Sequence, residues 1–197
     1  MSFIVGIGGG TASGKSTVAA ALAAHLGESA VLIAQDRYYH SLPGPPLGFD
    51  FDHPSAVALD ALATDLQALA RGQAATLPVY DFANHRRTNE TERVEAKPVV
   101  IAEGLHVLGA LIRPHLHCAV YVQAPDDLRL IRRIRRDVKQ RGRTVDSVLD
   151  QYERTVRPAH EQFVAPCADT ADLLLDGLAP IEACVRLLLE RFPVARN

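Results

Sequence analysis

Few features of this 197-residue chain point to a secreted, membrane-spanning or polyanion-binding protein. Its three cysteines (Cys118, Cys167 and Cys184) are widely spaced without a C-x-x-C pair, so we expect buried reduced thiols in a cytoplasmic protein. No uninterrupted apolar run approaches the roughly 18 residues of a transmembrane helix, and we expect no membrane partner. The N-terminus shows no signal-peptide pattern. A net charge of −2 gives no reason to expect nucleic acid as a partner.

What the chain does contain is a glycine-rich loop near its N-terminus. Residues 9–16, GGTASGKS, fit the pattern G-x-x-x-x-G-K-[ST]. The apolar run before the loop predicts a buried strand over residues 3–8, and the Ala-rich run after it predicts a helix over residues 17–25. Between a strand and a helix, such a loop turns its backbone N–H groups onto phosphate oxygens, and the helix N-terminus adds a favourable dipole.

This loop supplies the expected nucleotide-binding residues. Lys15 would reach the β- and γ-phosphates, and the Ser16 hydroxyl would ligate Mg²⁺. The full set is Gly9, Gly10, Thr11, Ala12, Ser13, Gly14, Lys15, Ser16 and Thr17.

Apolar runs and helical patterns alternate along the rest of the chain. Further strands are predicted at residues 29–34, 98–102, 117–123 and 170–175, and helices at residues 55–70, from 125, from about 146 to 158, and from 180. The alternation predicts a single α/β domain. Its core would be a doubly wound parallel sheet of about five strands with helices on both faces.

Residues 37–97 interrupt this alternation and predict a small acceptor-binding insertion. Residues 42–48 are rich in proline and glycine, so they cannot form a helix or a central strand. Residues 76–82 predict an extended piece, and the polar residues 84–97 predict a hairpin or a mobile loop.

Acidic residues follow two of the predicted strands, where ligands bind in open α/β sheets. Asp36 comes after the second strand and could accept the proton of an acceptor hydroxyl. Glu103 comes after the third and could help to hold a metal and its waters. Plainer alternatives are a turn carboxylate for Asp36 and a helix-start carboxylate for Glu103.

An arginine-rich stretch, residues about 129–152, predicts a helical lid. Its first helix has an apolar stripe of Ile131, Ile134 and Val138, and Gly142 ends that helix before a second begins. The other faces carry Arg129, Arg132, Arg133, Arg135 and Arg136. Such a lid could close over the reacting groups, exclude water and neutralise charge. A solvated helix face is the alternative, and it is favoured for Arg132 and Arg135.

Seven short blocks recur in the same order in the uridine kinases, or uridine–cytidine kinases, which this chain resembles over residues 3–177. The blocks are residues 9–17, Gln35-Asp36 with Tyr38-Tyr39, residues 51–54, residues 78–82 with His85, Glu103-Gly104, residues 132–137 with 141–143, and Gln151-Tyr152. The resemblance implies a P-loop kinase-type fold. It also implies Mg²⁺-dependent transfer of the γ-phosphate of ATP or GTP to the 5′-hydroxyl of uridine or cytidine, giving UMP or CMP for pyrimidine salvage. A homotetramer is plausible on the same ground.

Carried over position by position, the resemblance also implies roles for individual residues. On the donor side these are Lys15, Arg136, Arg141 and Arg143 facing the triphosphate, with Ser16, Asp36 and Glu103 near the metal. On the acceptor side they are Asp36 as catalytic base, Tyr38 and Asp52 on the nucleoside, Tyr80, Phe82 and His85 around the pyrimidine, and Arg133 and Gln151 completing the site. From the residues alone, an aspartate beside aromatic rings and a histidine suits a ribose and a flat base. Tyr80 and Phe82 could instead be plain core residues.

The chain departs from the usual pattern of this family at several positions. Ser55 stands where an aspartate is usual, and we expect it to cap a helix. Gln140 replaces a usual glutamate. Asp176 replaces a common arginine near the nucleotide base, which leaves the choice between ATP and GTP open.

Two other functions remain as alternatives. Arg86 and Arg87 directly follow His85 and would suit a phosphorylated acceptor, so a kinase of a phosphorylated sugar, or one of a pantothenate-like acceptor, is the first. The second is a nucleotide-dependent switch without turnover. The chain lacks the guanine-recognising N-K-x-D of GTPase switches, and Asp36 favours chemistry.

Overall fold

The computed structural model describes residues 1–42 and 48–191. The elements in chain order are β1 (Phe3–Gly8), α1 (Lys15–Leu26), β2 (Ala30–Ala34), α2 (Leu59–Ala70), β3 (Ala75–Asp81), β4 (Arg86–Val94), β5 (Val99–Glu103), β6 (Cys118–Gln123), α3 (Asp126–Arg141), α4 (Val145–Gln151), α5 (Arg157–Ala159), β7 (Leu173–Asp176) and α6 (Ile181–Leu189). No helix in these two ranges is both long and apolar enough to cross a bilayer.

Five parallel strands form the central sheet in the order β2-β5-β1-β6-β7. One face packs against α2 through Leu62, Leu66 and Leu69. The opposite face packs against α1 and α6 through residues such as Leu22 and Leu188. Because both faces are covered, the central strands are apolar along nearly their whole length. The predicted doubly wound α/β fold is confirmed.

The register of the sheet brings the ends of three strands together. Glu103, the last residue of β5, lies beside Ile7 of β1 on one side and Ala34 of β2 on the other. The phosphate loop follows β1 directly, and Asp36 follows β2 by two residues. Parallel strands end at the same edge of a sheet, so the loop and both acidic residues meet there.

The insertion between β2 and β5 contains α2 and an antiparallel hairpin. Strands β3 and β4 pair from Ala75 opposite Val94 to Asp81 opposite Arg86, with an irregularity between Pro78 and Tyr80. Of the two structures predicted for residues 84–97, the hairpin is therefore correct. Residues 43–47 of the Pro/Gly segment lie outside the described residues.

The helix predicted from residue 55 begins only at Leu59, so Ser55 does not cap it. A separate turn, Pro54–Ala56, precedes the helix, and the Nδ1 atom of His53 accepts a hydrogen bond from the backbone N–H of Ser55 at 3.1 Å. Val57 is then extended and bridges to Tyr39. These contacts hold the chain away from helical geometry until after residue 58.

The arginine-rich helix α3 buries its charged face. Arg129, Arg133 and Asp137, four residues apart on one face, are 2%, 6% and 0% exposed. Two members of the apolar stripe, Ile131 and Val138, are 42% and 40% exposed. The apolar stripe therefore does not mark the buried face of this helix.

The break and the second helix of the lid are where the sequence predicts them. Gly142 has a φ of 62° and ends α3 in the left-handed conformation that glycine adopts readily. The helix that begins at Val145 does not stop at Pro158. It continues through the wider turns Tyr152–Val156 and His160–Val164, with α5 between them.

Candidate active site

The phosphate loop presents backbone donors at the start of α1. Gly9 and Gly14 have φ values of 144° and 104°, which favour glycine, and Gly14 stands at the N-cap of α1. No side chain of the described residues caps this helix, and its first turn holds no acidic residue. The free N–H groups and the helix dipole therefore favour a bound anion at this point.

The Ser16 hydroxyl and the Glu103 carboxylate meet beside this loop. Ser16 Oγ donates a hydrogen bond to Glu103 Oε2 at 2.9 Å. Burial raises the pKa of Glu103, while the charge of Lys15 opposes that rise and the charge of Asp36 adds to it. The residues directly after Glu103 form bends and turns rather than a helix, so the helix-start alternative is wrong.

These oxygen atoms suit Mg²⁺ rather than a transition metal. The described residues contain no group of three or more His, Cys, Asp and Glu side chains that could hold a metal. A small set of protein ligands is sufficient for Mg²⁺, because this ion usually binds one or two protein oxygens and completes its coordination shell with phosphates and water. Ser16 and Glu103 fit that pattern, with Asp36 close enough to act on the charge of Glu103.

The acceptor side centres on a second buried carboxylate, Asp52. Burial raises the pKa of Asp52, and the charges of Arg133 and Lys15 oppose that rise. The charge of Asp36 also raises it, so the two aspartates lie near each other and near Lys15 of the phosphate loop. Two carboxylates of different burial can take different roles, one holding a ligand and the other accepting a proton.

Of the two adjacent tyrosines, Tyr39 and not Tyr38 faces this site. Tyr38 is fully buried, and its hydroxyl donates a hydrogen bond to Asp65 Oδ2 of α2 at 2.7 Å. The expectation that Tyr38 contacts the acceptor is therefore corrected. The pKa of Tyr39 is raised by burial and then by the charges of Asp36 and Asp52. The sequence does not show which of two neighbouring tyrosines turns into the core and which one faces the site.

Aromatic rings from the hairpin and the preceding loop form a wall next to Tyr39. The ring of Tyr39 lies 5.7 Å from that of Tyr80 and 5.8 Å from that of Phe51. Tyr80 contacts Phe82 at 5.1 Å, and Phe51 contacts His85 at 5.1 Å. Phe82 is 58% exposed, so it is not a core residue. The structure thus brings together the aromatic residues and the histidine predicted for the acceptor.

Sequence reasoning missed a buried histidine beside Asp52. Burial lowers the pKa of His106 to about 4, so its ring is neutral at pH 7. The ring interacts with the backbone carbonyl of Asp52, and within the described chain Nε2 has no hydrogen-bond partner. A histidine two residues after Glu-Gly is the only signal that the sequence offered.

Two arginines of the lid, Arg133 and Arg143, donate hydrogen bonds to the phosphate loop and to α4. Arg133 donates to Thr11 Oγ1 at 2.8 Å and to Gln151 Oε1 at 2.9 Å. Arg143 donates to the same Gln151 oxygen and to the carbonyl of Ser147. Gln151, predicted on the acceptor side, thus ties α4 to α3.

Of the remaining lid arginines, Arg132, Arg136 and Arg141 contact protein groups, whereas Arg135 is exposed to solvent. Arg136 Nε donates to Asp137 at 2.8 Å, and Arg141 lies 3.5 Å from the same carboxylate. Arg132 donates from both terminal nitrogens to the carbonyl of Gly177 at 3.2 Å, so the solvated interpretation is wrong for this residue. Arg135 is exposed, as that interpretation predicts.

A cavity of about 510 Å³ lies next to the loop at the ends of β6 and β7. Asp126 and Asp176 line it together with Gln123, Leu174 and Leu178. Gly177, which follows Asp176 in the chain, packs tightly against the phosphate loop, because a Cβ atom there would collide with the backbone carbonyl of Ser13.

Replacing Gly177 with Ala is expected to destabilise the fold and loosen the loop. The new methyl group would meet two backbone oxygens, that of Ser13 and that of Gln123 at 2.9 Å, neither of which can turn away. We expect the free energy of unfolding to fall by about 1–3 kcal/mol. Urea unfolding measures this, with Gly109→Ala as control, where the nearest atom would lie at 3.1 Å. Equal midpoints for the two variants would contradict the prediction.

Comparison with known proteins agrees with this geometry. The sequence profile of the phosphoribulokinase / uridine kinase family matches residues 46–181. A uridine kinase of Chloroflexus aggregans is 41% identical over 98% of this chain and 95% of its own. A uridine kinase of Halobacterium salinarum is 41% identical over 88% of this chain and 80% of its own.

Solved structures show the same fold at low sequence identity. Phosphoribulokinase from Rhodobacter spheroides is 18% identical, with a TM-score of 0.68 over 91% of this chain and 74% of its own. The profile match over most of the chain and the near-full-length relatives establish the family. The chain therefore belongs to the phosphoribulokinase / uridine kinase family of P-loop kinases, phosphotransferases that act on an alcohol acceptor.

Proposed function

We propose that this kinase transfers the γ-phosphate of ATP or GTP to the 5′-hydroxyl of uridine or cytidine, giving UMP or CMP. The observation that carries the proposal is the proximity of Asp36 and Asp52 to each other and to Tyr39 of the aromatic wall, with Lys15 of the phosphate loop close enough to act on the charge of Asp52. The relatives named uridine kinase, similar over nearly the whole chain, support the same acceptor.

On the donor side the chain would hold the triphosphate and orient it. The N–H groups of the loop and the start of α1 bind phosphate oxygens, and Lys15 adds a cation at the transferring group. Ser16 and Glu103 would hold Mg²⁺, which when bound neutralises charge on the phosphates. The cavity lined by Asp176 would receive the base of the donor.

On the acceptor side, Asp36 would take the proton of the 5′-hydroxyl. As the hydroxyl oxygen forms its bond to the γ-phosphorus, the bond from that phosphorus to the bridging oxygen breaks, and the nucleoside diphosphate leaves. The proton moves to a carboxylate oxygen of Asp36. Asp52 would accept hydrogen bonds from the sugar hydroxyls, and the aromatic wall would pack against the base.

Of the two arginines that could favour a phosphorylated acceptor, Arg87 is engaged elsewhere. Arg87 donates to the backbone carbonyls of Tyr38 and Tyr39 at 2.7 and 2.9 Å, so its guanidinium fastens the hairpin to the insertion. Arg86 is exposed and lies opposite Asp81 in the register of the hairpin; hydrogen bonds from Asn84 are the main cause that lowers the pKa of Asp81, and the charge of Arg86 adds to it. These contacts favour a nucleoside over a sugar phosphate.

An activity matrix tests the proposal. Purified protein with Mg·ATP or Mg·GTP is assayed for phosphorylation of a panel of nucleosides, with ribulose 5-phosphate and pantothenate beside them. We expect UMP or CMP as the main product. Preferential phosphorylation of ribulose 5-phosphate or pantothenate would overturn the proposal. Nucleotide binding without acceptor-dependent release of diphosphate would favour the non-catalytic switch instead.

Binding of the acceptor is expected to weaken as the pH falls. Ionised Asp52 accepts strong hydrogen bonds at both oxygens, whereas the protonated group is a weaker acceptor, and burial raises its pKa above the ordinary range near 4. As the pH is lowered through this raised pKa, the group is protonated, so the KM of the acceptor should rise. In Asp52→Asn we expect a high KM that does not vary with pH. The control is the KM of the donor over the same range, and a flat acceptor profile in the unmodified protein would refute the prediction.

A further inference from the structure

The buried face of α3 ends in a carboxylate, Asp137, which has no role in the reaction described above. Its side chain is completely buried, although it sits one turn from the end of the helix. Four guanidinium groups lie within 4 Å of it. They are Arg136 Nε at 2.8 Å, Arg141 Nη1 at 3.5 Å, Arg143 Nη1 at 3.6 Å and Arg133 Nε at 3.7 Å.

Asp137 alone cannot balance four positive charges, and even with Asp52, whose charge acts on Arg133, the carboxylates remain fewer than the guanidinium groups. Oδ1 takes the hydrogen bond from Arg136, whereas Oδ2 faces Arg133 and Arg143 at distances too long for a hydrogen bond. Within the described chain, Oδ2 of Asp137 and Nε of Arg133 have no hydrogen-bond partner. The cluster therefore retains an excess of positive charge next to the phosphate loop, and a triphosphate is the kind of anion that would balance it.

Contacts from this cluster reach every part of the lid. The backbone N–H groups of Gly142 and Arg143 both donate to the carbonyl of Asp137, which fixes the turn between α3 and α4. Arg133 extends to Thr11 of the phosphate loop, and Arg143 extends to Ser147 and Gln151 of α4. Asp137 thus lies within 4 Å of Arg133 and Arg143, the two arginines that connect the lid helices to each other and to the phosphate loop.

We propose that Asp137 is a positioning residue that gathers Arg133, Arg136, Arg141 and Arg143 and aims them at the transferring phosphate. Without a central anion, four guanidinium groups this close repel one another, and their side chains turn toward solvent. The carboxylate holds them together before the donor arrives, so they need not reorganise during the reaction. This inference rests on the proposed use of the lid arginines at the donor triphosphate.

Removal of the charge with little change of shape tests the proposal. In Asp137→Asn we expect kcat to fall about 10²-fold, because small misplacements of charge-stabilising groups are costly to catalysis. The KM of the donor should change less than threefold, since the phosphate loop and Lys15 remain to bind the triphosphate. Asp127→Asn, an exposed site in the first turn of the same helix, is the matched control and should behave like the unmodified enzyme.

A double-mutant cycle separates positioning from a merely structural role. If Asp137 acts through the arginines, Asp137→Asn should lower kcat much less when Arg136→Met is already present. Multiplicative effects of the two substitutions on kcat would overturn the proposal, as would a single Asp137→Asn variant whose kcat is within twofold of that of the unmodified enzyme.

Should Asp137→Asn fail to fold, a second variant, Asp137→Glu, keeps the negative charge but displaces it by one methylene group. We expect that variant to fold and to lose at least tenfold in kcat, and full activity would overturn the proposal.

An acceptor-independent measurement keeps this inference distinct from the proposed function. Trypsin cleavage after the arginines of residues 129–143 is followed by mass spectrometry with and without Mg·ATP. We expect Mg·ATP to protect the unmodified lid and the Asp127→Asn lid, but not that of Asp137→Asn. Equal protection of all three would refute the role of Asp137, whatever the acceptor is. Absence of UMP and CMP formation by the unmodified protein would refute only the proposed function.

Discussion

Replacing Asp36 with Asn is expected to lower kcat by about 10²-fold or more while leaving acceptor binding nearly intact. General base catalysis by a positioned side chain typically contributes 10²–10⁴-fold, and an amide of the same shape cannot take the proton. The variant retains an oxygen that can accept a hydrogen bond from the hydroxyl, so we expect the KM of the acceptor to change less than threefold. Steady-state kinetics with uridine and Mg·ATP measure both quantities.

Asp60→Asn provides the control for this substitution, because Asp60 is an exposed residue of α2 in the same insertion. A control that lost activity to the same extent would show that the effect belongs to the insertion and not to the base. Retention of more than half of kcat in Asp36→Asn would remove Asp36 from the role of base. A large rise in KM with unchanged kcat would assign Asp36 to binding instead.

Replacing Lys15 with Met is expected to have an effect of similar size on the donor side. Loss of one preorganised charge at a transferring group typically lowers kcat about 10²–10³-fold, or about 3–4 kcal/mol of transition-state stabilisation. Lys15 also lies among the acidic residues of the site, where its charge lowers the pKa values of Glu103 and Asp52. The substitution should therefore alter the pH dependence as well as the rate.

The sign of that second effect follows from the removed charge. Without the cation the ionised carboxylates are less favourable, so the pKa values of Glu103 and Asp52 rise further. At a given pH fewer of them are ionised, and the acid limb of the pH–rate profile should move to higher pH. Lys139→Met, at an exposed position of α3, is the control. An acid limb that stays in place would show that Lys15 does not govern these carboxylates.

Much of the fold could be predicted because its signals are local. The five strands of the sheet are short apolar runs bounded by Gly, Pro and polar residues, and each is found close to its predicted place. The phosphate loop combines glycine conformations with a strand before it and a helix after it, all within about 25 residues. The sequence predicts both acidic residues, Asp36 after β2 and Glu103 at the end of β5, at the carboxyl edge, and the register of β5 explains why they meet.

Errors arose where a distant contact decides the outcome. Tyr38 and Tyr39 are equivalent in sequence, but Asp65 of α2 takes the hydroxyl of Tyr38 and leaves Tyr39 to the site. Arg132 resembles a solvated residue until Gly177, 45 positions later, supplies its acceptor. The position of Ser55 in the sequence predicts a helix cap, but its backbone N–H donates to His53 and the residue belongs to a separate turn.

The lid helix shows most clearly what the sequence by itself determined and what it left open. The arginines, the glycine break at Gly142 and the two helices could be predicted from spacing and composition. The orientation of α3 could not, because a hydrophobic stripe predicts burial only where an apolar surface lies opposite. Here the phosphate loop and α4 lie opposite, and they offer hydroxyl and amide oxygens to Arg133. Polar partners made the charged face the buried one, and only the tertiary structure brings those partners together.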